Sequence, residues 1–388
     1  IVWPNQDYYN LTWERIRNAL GNPEMREAIF QIWLNRDYTK YAQVTGKDMS
    51  LANWSPADQM RLYIRKDVAA RVWNYGSAEM DFGAMEEDPY QEKEVSLTAD
   101  KILSDLNLIQ PRNLEVAPDG TLYILDTGNH RVLHLTPDGE VLHSWGSFSA
   151  VEGETGPEGT FNEPWGIDIG PEGSVYVADT WNHRVQKFTP EGEFLTSWGR
   201  FGQRETPDAF WGPRDVAVDN DGHVYVSDTG NKRIAVFDKN GNFLLDFGEG
   251  GLGDSQFAEP VGLALDGEGA LYVADTWNQR IQVFTPDQEG VARIFDRKWD
   301  LIGWYGQSLD NKPYLTADDQ GQLFVTDPEA SRVLHFTNQG ELVQYWGTNG
   351  NGPVNFNLPL GLAVDGEGGL WVSDTNNNRL MHFTLPMP

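Results

Sequence analysis

Six copies of a ten-residue unit constrain the fold of this chain more than any other sequence feature. In each copy an apolar run ends in Asp, and an Arg follows five residues later. Successive Asp residues are 53, 49, 47, 52 and 47 positions apart. The repeated pairs are Asp126 and Arg131, Asp179 and Arg184, Asp228 and Arg233, Asp275 and Arg280, Asp327 and Arg332, and Asp374 and Arg379. A period of about 50 residues is typical of architectures in which each repeat is one supersecondary unit.

Each repeat is predicted to form four short antiparallel strands. In the second copy the pattern places them at residues 166–169, 175–178, 184–188 and 193–198. Turn sequences rich in Pro, Glu and Gly separate the first two strands and the last two. The sequence therefore predicts a mainly β protein in which residues 111–388 form a six-bladed β-propeller.

The repeat resembles the NHL repeat. The pattern begins with Pro, a variable residue, Gly and Ile or Leu, as at Pro164–Ile167, and Val-Tyr-Val-Ala-Asp-Thr-x-Asn-x-Arg follows, as at Val175–Arg184. The resemblance covers residues 111–388 and implies a six-bladed propeller. The fifth copy departs from it, since Pro328-Glu329-Ala330-Ser331 replaces the Asn-containing loop.

The sixth copy supplies only three strands before the chain ends. An incomplete blade exposes a sheet edge, so we expect a strand from before Pro111 to complete it. Residues 94–97 are the first candidate, and residues 71–76 are the second.

The repeated Asp and Arg residues are interpreted as structural. Asp ends the second strand and Arg begins the third, so the two are neighbours across a hairpin. Residues that recur in every blade stabilise the blade structure, whereas binding residues concentrate on long loops. The long connections all lie on one face of a propeller, which we call the long-loop face, and we expect function there.

Non-repeated aromatic and cationic residues gather on this predicted face. The candidate ligand-binding residues are Arg112, Trp165, Trp181, Trp211, Arg214 and Trp277, and Phe161, Phe210, Phe257 and Phe356 lie in or beside the long loops. Such residues bind sugars or extended polar ligands by stacking and hydrogen bonding. The alternative for each is a wedge between blades, although Arg112, Trp165 and Arg214 are predicted at the mouth of the central channel.

Charge excludes several partners. The chain has a net charge of −29, and residues 111–388, with 41 acidic and 17 basic side chains, account for −24 of it. Nucleic acid and anionic membrane surfaces are therefore unfavourable partners. No apolar run approaches the ~20 residues of a membrane span, so we expect no direct insertion of this segment.

No catalytic residue, metal or cofactor is predicted. None of the seven His residues lies on a predicted inner strand, where some NHL-like lyases hold a zinc ion. With no Cys there is no thiolate nucleophile or thiolate metal ligand. The segment Asp219-Asn220-Asp221-Gly222 resembles the start of a calcium loop, but a turn is favoured because no Glu completes it. A glycosidase carboxylate pair stays open without support.

The N-terminal part has a different pattern. Residues 1–80 are predicted to form a small α-helical subdomain, and residues 81–110 a linker that includes the blade-closing strand. Residues 34–39 and 61–67 resemble the soluble tail of bacterial multi-span membrane glycosyltransferases. That resemblance implies the extracytoplasmic part of a membrane-tethered enzyme whose catalytic part lies upstream.

The sequence thus favours a monomeric, non-catalytic recognition or scaffolding module. Its predicted ligand is a glycan or a partner protein on the long-loop face, and its predicted location is extracytoplasmic. The alternative is a propeller lyase or hydrolase that acts at the channel mouth.

Overall fold

The computed structural model describes residues 90–150, 156–288, 290–301, 304 and 311–385. The predicted helical subdomain and the candidate strand at residues 71–76 lie outside the described residues. Among those described, no helix has both the length and the apolar composition that a membrane crossing requires.

The described chain forms six four-stranded antiparallel sheets, which confirms the predicted mainly β propeller. Strand β1 (Lys101–Leu103) precedes the blades. Blades 1 to 3 contain β2 (Pro111–Val116), β3 (Leu122–Asp126), β4 (Arg131–Leu135) and β5 (Val141–Trp145); β6 (Pro164–Ile169), β7 (Val175–Asp179), β8 (Arg184–Phe188) and β9 (Phe194–Trp198); and β12 (Pro213–Val218), β13 (Val224–Asp228), β14 (Arg233–Phe237) and β15 (Phe243–Phe247).

Blades 4 to 6 contain β18 (Pro260–Leu265), β19 (Leu271–Asp275), β20 (Arg280–Pro286) and β21 (Arg293–Asp300); β22 (Leu315–Ala317), β23 (Leu323–Asp327), β24 (Arg332–Phe336) and β25 (Leu342–Trp346); and β28 (Pro359–Val364), β29 (Gly369–Asp374) and β30 (Arg379–Thr384). Short parallel pairs lie in three of the long loops: β10 (Arg200–Phe201) with β11 (Ala209–Phe210), β16 (Glu249–Gly250) with β17 (Gln256–Phe257), and β26 (Thr348–Asn349) with β27 (Asn355–Phe356). Single 3-10 turns are at Gln91–Lys93, Thr127–Asn129, Thr180–Asn182, Thr229–Asn231, Thr276–Asn278 and Thr375–Asn377.

The second strand of each blade is buried because both of its faces are covered. Its β-branched, aromatic and aliphatic residues, such as Val175, Tyr176 and Val177, pack against the blades on either side. The turn before this strand in blade 2 requires Gly173, whose φ of 77° is in the left-handed region. The outer strands alternate between exposed and partly buried residues, since one side faces solvent.

The blades close into a ring. Each innermost strand contacts the innermost strands of the two neighbouring blades, including β28 of blade 6 against β2 of blade 1. At this junction Thr375 Oγ1 donates to the Pro111 carbonyl at 2.7 Å, and Ser373 Oγ donates to the Arg112 carbonyl at 2.7 Å. The innermost strands therefore surround a central channel.

A strand from before Pro111 completes blade 6, but the predicted segment was wrong. The strand is β1, and Lys101, Ile102 and Leu103 pair with β30. Residues 94–97 instead run along the outside of blade 5, where Val95 N donates to the Tyr345 carbonyl at 2.9 Å. Val95 and Leu97 pack against the core between blades 5 and 6, so their alternation reflects burial rather than sheet pairing.

Candidate functional site

The repeated Asp–Arg pair forms in all six blades. In each, Arg Nε donates to Asp Oδ2 across the hairpin, at distances of 2.7, 2.8, 2.8, 2.7, 2.9 and 2.7 Å from blade 1 to blade 6. The Asp side chains are fully buried. Burial raises the pKa of Asp179, Asp228, Asp275 and Asp374, while the backbone donors and the nearby Arg oppose that rise.

The same pair organises the long loops. Asp228 Oδ1 accepts from the Trp211 N–H at 2.7 Å, and Arg233 Nη2 donates to the Ala209 carbonyl at 2.7 Å. Asn231 adds a bond from Nδ2 to Asp228 Oδ2 at 2.8 Å, and Thr229 Oγ1 donates to the Pro260 carbonyl of blade 4 at 2.6 Å. Because these bonds satisfy the pair internally, its role is architectural.

The four loop phenylalanines also belong to the architecture. Phe161, Phe210, Phe257 and Phe356 are fully buried. Each lies against a Gly with positive φ at the end of an outer strand, for example Phe210 against Gly199, where an added Cβ would approach the ring to 2.5 Å. They wedge the long loops onto the blades and are not available to a ligand.

Three predicted site residues form one stack at the channel mouth. The guanidinium carbons of Arg112 and Arg214 each lie 3.6 Å from the Trp165 ring centroid. All three side chains are buried. Arg214 also lies 4.9 Å from the Trp181 ring centroid, so the order through space is Arg112, Trp165, Arg214, Trp181. We call these four residues the cation–π column.

Buried carboxylates lie on the same innermost strands. Asp168 accepts from the Ile169 N–H and, in the next blade, from the Val218 N–H at 2.6 Å. Asp215 likewise reaches the next blade and accepts from the Leu263 N–H at 2.9 Å. Desolvation raises the pKa of Asp168 to about 7 and raises the pKa values of Asp215 and Glu115 well above their usual range. Both aspartates join adjacent blades, so we assign them no chemistry.

Exposed aromatic side chains cover the long-loop face over blades 1 to 3. They are Phe148, Trp181, Phe201 and Trp211, which we call the aromatic face. Trp181 and Trp211 were predicted from the sequence, whereas Phe148 and Phe201 were missed. Both Phe residues follow an outer strand by three positions in blades 1 and 2, where blades 3 and 5 have Gly250 and Asn349.

Two histidines pack against the phenylalanines of the aromatic face. The His130 and His183 rings lie 4.8 Å from Phe148 and Phe201, and Phe201 lies 6.2 Å from Trp211. The Nδ1 atom of each His accepts a backbone N–H from the chain that leads into the next blade, at 3.1 and 3.0 Å. This bond requires the neutral ring, and desolvation lowers the pKa of His183 to about 4.

Trp277 in blade 4 occupies the position that Trp181 has in blade 2, but a lysine is its cation. Lys312 Nζ lies 5.3 Å from the Trp277 ring centroid and 2.6 Å from Glu259 Oε2. Lys312 is fully buried and stands where other blades begin with Pro. The structure thus places Trp277 apart from the aromatic face, in a site whose charges are paired internally.

The candidate calcium segment forms the turn between β12 and β13, on the opposite face. Among the described residues, Asp219, Asp221 and His223 are the group with ligand atoms close enough for one ion. Asp219 already accepts from the Asp221 and His223 N–H groups, from Tyr225, and from Arg293 at 3.1 Å. The adjacent guanidinium opposes a bound cation, which favours the turn interpretation.

Comparisons with known proteins identify the repeat. The sequence profile of the NHL repeat matches residues 161–188, 210–237, 257–284 and 356–383. NHL repeat-containing protein 2 of Gallus gallus is 36% identical over 97 residues, which cover 24% of this chain and 13% of that protein. NHL repeat-containing protein 3 of Homo sapiens is 33% identical over 111 residues, which cover 28% of this chain and 30% of that protein. The chain therefore spans less than a third of these relatives.

A solved structure shows the same fold. The gluconolactonase of Xanthomonas campestris superposes with a TM-score of 0.52 at 15% identity, over 77% of this chain and 99% of that chain. At this identity the likeness shows the fold alone. The comparisons do not support the resemblance of residues 34–39 and 61–67 to a glycosyltransferase tail. The four matched repeats and the six closed blades together show that this chain is an NHL-repeat β-propeller protein.

Proposed function

We propose that this protein is a non-catalytic binding module that takes a protein partner on its aromatic face. The observation that carries the proposal is the exposure of four large aromatic side chains on the long-loop face over blades 1 to 3, where Phe201 packs against Trp211. The core of a protein interface is enriched in Trp, Tyr and Phe, and truncation of such residues costs most of the binding energy.

The surrounding structure supports this assignment. The loop that carries Phe201 and Trp211 is fixed by two hydrogen bonds, one that Asp228 accepts from the Trp211 N–H and one that Arg233 donates to the Ala209 carbonyl, so the surface is organised before binding. NHL propellers usually serve as protein-binding scaffolds. A glycan would use the same aromatic rings, and we treat it as an outcome of the test.

The test compares two side chains of blade 3 that differ in face. Trp211 is 45% exposed on the aromatic face, and Leu244 is 40% exposed on the outer strand β15. A displayed random-peptide library and a glycan array are screened with the wild-type protein, and each binder is titrated against Trp211→Ala and Leu244→Ala. We expect peptide binders that lose about tenfold or more in affinity with Trp211→Ala and less than about twofold with Leu244→Ala.

Two outcomes would contradict the proposal. Peptides that bind both variants equally would place binding elsewhere, and Trp211-dependent glycans without Trp211-dependent peptides would assign the surface to sugars. The monomeric state and the extracytoplasmic location stay predictions, and light scattering and cell fractionation test them.

A further inference from the structure

The cation–π column ends at solvent with an aromatic ring. Within the column, Trp165 has a guanidinium on each face, and both lie 3.6 Å from its centroid. Trp181 has one guanidinium, that of Arg214, 4.9 Å from its centroid. Trp181 is 38% exposed while Arg214 is 5% exposed, so the accessible surface of the Trp181 ring lies away from Arg214. The stack is therefore open for one further planar cation.

A carboxylate lies at the edge of this open ring. Trp181 Nε1 donates to Glu163 Oε2 at 3.0 Å, which fixes both side chains together. Within the described parts of the chain, Glu163 forms no ion pair. An unpaired, half-buried carboxylate beside an aromatic face provides the two features that a guanidinium uses, a π surface and a charged acceptor.

Blade 4 offers an internal comparison. Blade 4 has Trp277 and Glu259 at the equivalent positions, but there Trp277 Nε1 has no hydrogen-bond partner in the described ranges and Lys312 Nζ lies 2.6 Å from the Glu259 carboxylate. That site contains its own cation, which is fully buried. The blade 2 site has the same acid and the same ring, and among the described residues no cation pairs with its acid.

The charge of the protein favours the same ligand. Residues 111–388 have a net charge of −24. This field attracts cationic segments and repels polyanions. A guanidinium suits the site better than an ammonium, because it stacks flat on the indole and donates two parallel hydrogen bonds to a carboxylate.

We infer that Trp181 and Glu163 form a subsite for an arginine side chain of the protein partner, whose guanidinium stacks on the open face of Trp181 and donates to Glu163. This inference rests on the proposed function, since it names the anchor that the aromatic face recognises.

The test follows the 15 tryptophan indole N–H signals by nitrogen–proton correlation NMR. The Trp181 signal is assigned from its loss in Trp181→Phe. The probe is acetyl-Gly-Arg-Gly amide, and matched peptides carry Lys or citrulline in place of Arg; citrulline has the same shape without the charge. We expect the Arg peptide to shift the Trp181 signal in a saturable way and the citrulline peptide to bind about tenfold more weakly or worse.

Variants separate this subsite from the rest of the surface. Glu163→Gln should weaken Arg-peptide binding about fivefold to tenfold, and Trp181→Ala should abolish it, whereas Trp211→Ala should leave it within about twofold. Thermal unfolding of each variant confirms that the fold is intact.

The failures of the two proposals are distinguishable. An Arg peptide that leaves the Trp181 signal unmoved, or that binds no better than its citrulline counterpart, overturns the subsite, even if Trp211-dependent library peptides support the proposed function. If the Arg peptide binds at Trp181 but no library peptide depends on Trp211, the subsite is supported and the proposed function is overturned.

Discussion

Replacing Arg233 by Met should destabilise the propeller far more than the same change at Arg131, although both residues occupy the same position in the repeat. Arg233 donates to Asp228 through Nε, to Asp246 through Nη1, and to the carbonyls of Pro207 and Ala209 through Nη2. The Arg233 side chain is 0% exposed. Its removal leaves a buried carboxylate and a long loop without their shared donor.

Arg131 has a different environment because a short segment, residues 104–110, leads into blade 1 in place of a long loop. Within the described residues its hydrogen bond is the one from Nε to Asp126, and its side chain is 29% exposed. Water therefore reaches the pair, and the carboxylate that remains after the change keeps its bonds from the Ile109 N–H and Asn129.

The expected losses of stability follow from the burial and the number of these hydrogen bonds. Breaking a buried ion pair by removing one partner costs about 3–5 kcal/mol. Breaking one partly exposed pair costs about 1 kcal/mol. At about 2 °C per kcal/mol in a large domain, Arg233→Met should lower Tm by about 6–10 °C and Arg131→Met by about 2 °C.

Differential scanning calorimetry at one scan rate measures both variants, because unfolding of a chain of this size can be irreversible. Circular dichroism at 20 °C serves as the control that both proteins retain the sheet fold. Equal decreases in Tm for the two variants would refute the reasoning that loop anchoring, rather than the ion pair alone, sets the contribution of this position.

Three further predictions concern ring closure and buried titratable groups. Leu103→Ala in β1 should cost about 1–2 kcal/mol and accelerate hydrogen exchange in β30, whereas Leu244→Ala on an exposed outer strand should change neither. Desolvation lowers the pKa of His183 to about 4, so its contribution to stability is complete above about pH 6.5 and is lost as pH falls towards 4. Nitrogen NMR should show a neutral His183 ring at pH 5. Burial raises the pKa of Glu115, so this residue lowers the stability of the fold as pH rises above about 4.5. The Glu115→Gln variant should therefore have a higher Tm than wild type at pH 8, by at least about 2 °C. Equal Tm values at pH 8 would contradict this prediction.

The sequence predicted the blades well because their determinants are local and repeated. The Asp–Arg spacing, the turn Gly residues and the apolar second strands recur in register, so each copy supports the others. Recurrence at a fixed distance from the repeated Asp would also have identified the loop phenylalanines as structural. Phe161, Phe210, Phe257 and Phe356 all stand 18 residues before the repeated Asp, and Leu108 is the buried counterpart in blade 1.

The closing strand was harder to predict because its stabilisation is not local. β1 has three residues, and its Ile102 is exposed, so it lacks the alternation of a longer strand. Its position is set by partners far along the chain, such as Asp100, which accepts from the Thr384 N–H at 3.1 Å. Residues 94–97 show a clearer alternation of polar and apolar residues, but their apolar side chains pack against the core between blades 5 and 6. The pairing of Trp181 with Glu163 likewise joins residues that are 18 positions apart in the chain.

The distribution of large side chains on the long-loop face follows from a steric rule in the repeat. In each Asn-containing loop, the residue after Thr donates its backbone N–H to the carbonyl of the residue two positions before the Pro that begins the same blade. An added Cβ at Gly128 or Gly230 would lie 2.4 or 2.5 Å from the Ile109 or Trp211 side chain. In blades 1 and 3 the large residue two positions before Pro therefore requires Gly after Thr. In blade 2 the large residue, Trp181, follows Thr, and its partner is Asn162.

This rule separates the residues that build the blade from those that vary on its surface. The Asp, Asn, Thr and Arg of each loop are held by bonds to their own or the neighbouring blade, so they are fixed by the architecture. The two coupled positions are joined by a backbone hydrogen bond in each of these blades, and in blade 6 Asn376 Nδ2 also donates to Asn357 Oδ1 at 3.3 Å, so the side chains at these positions can differ between blades. Blades 2 and 3 place Trp181 and Trp211 there, and blade 6 places Asn376 and Asn357. Binding specificity can therefore change at these positions without loss of the fold, which is why the aromatic face covers one side of an otherwise regular ring.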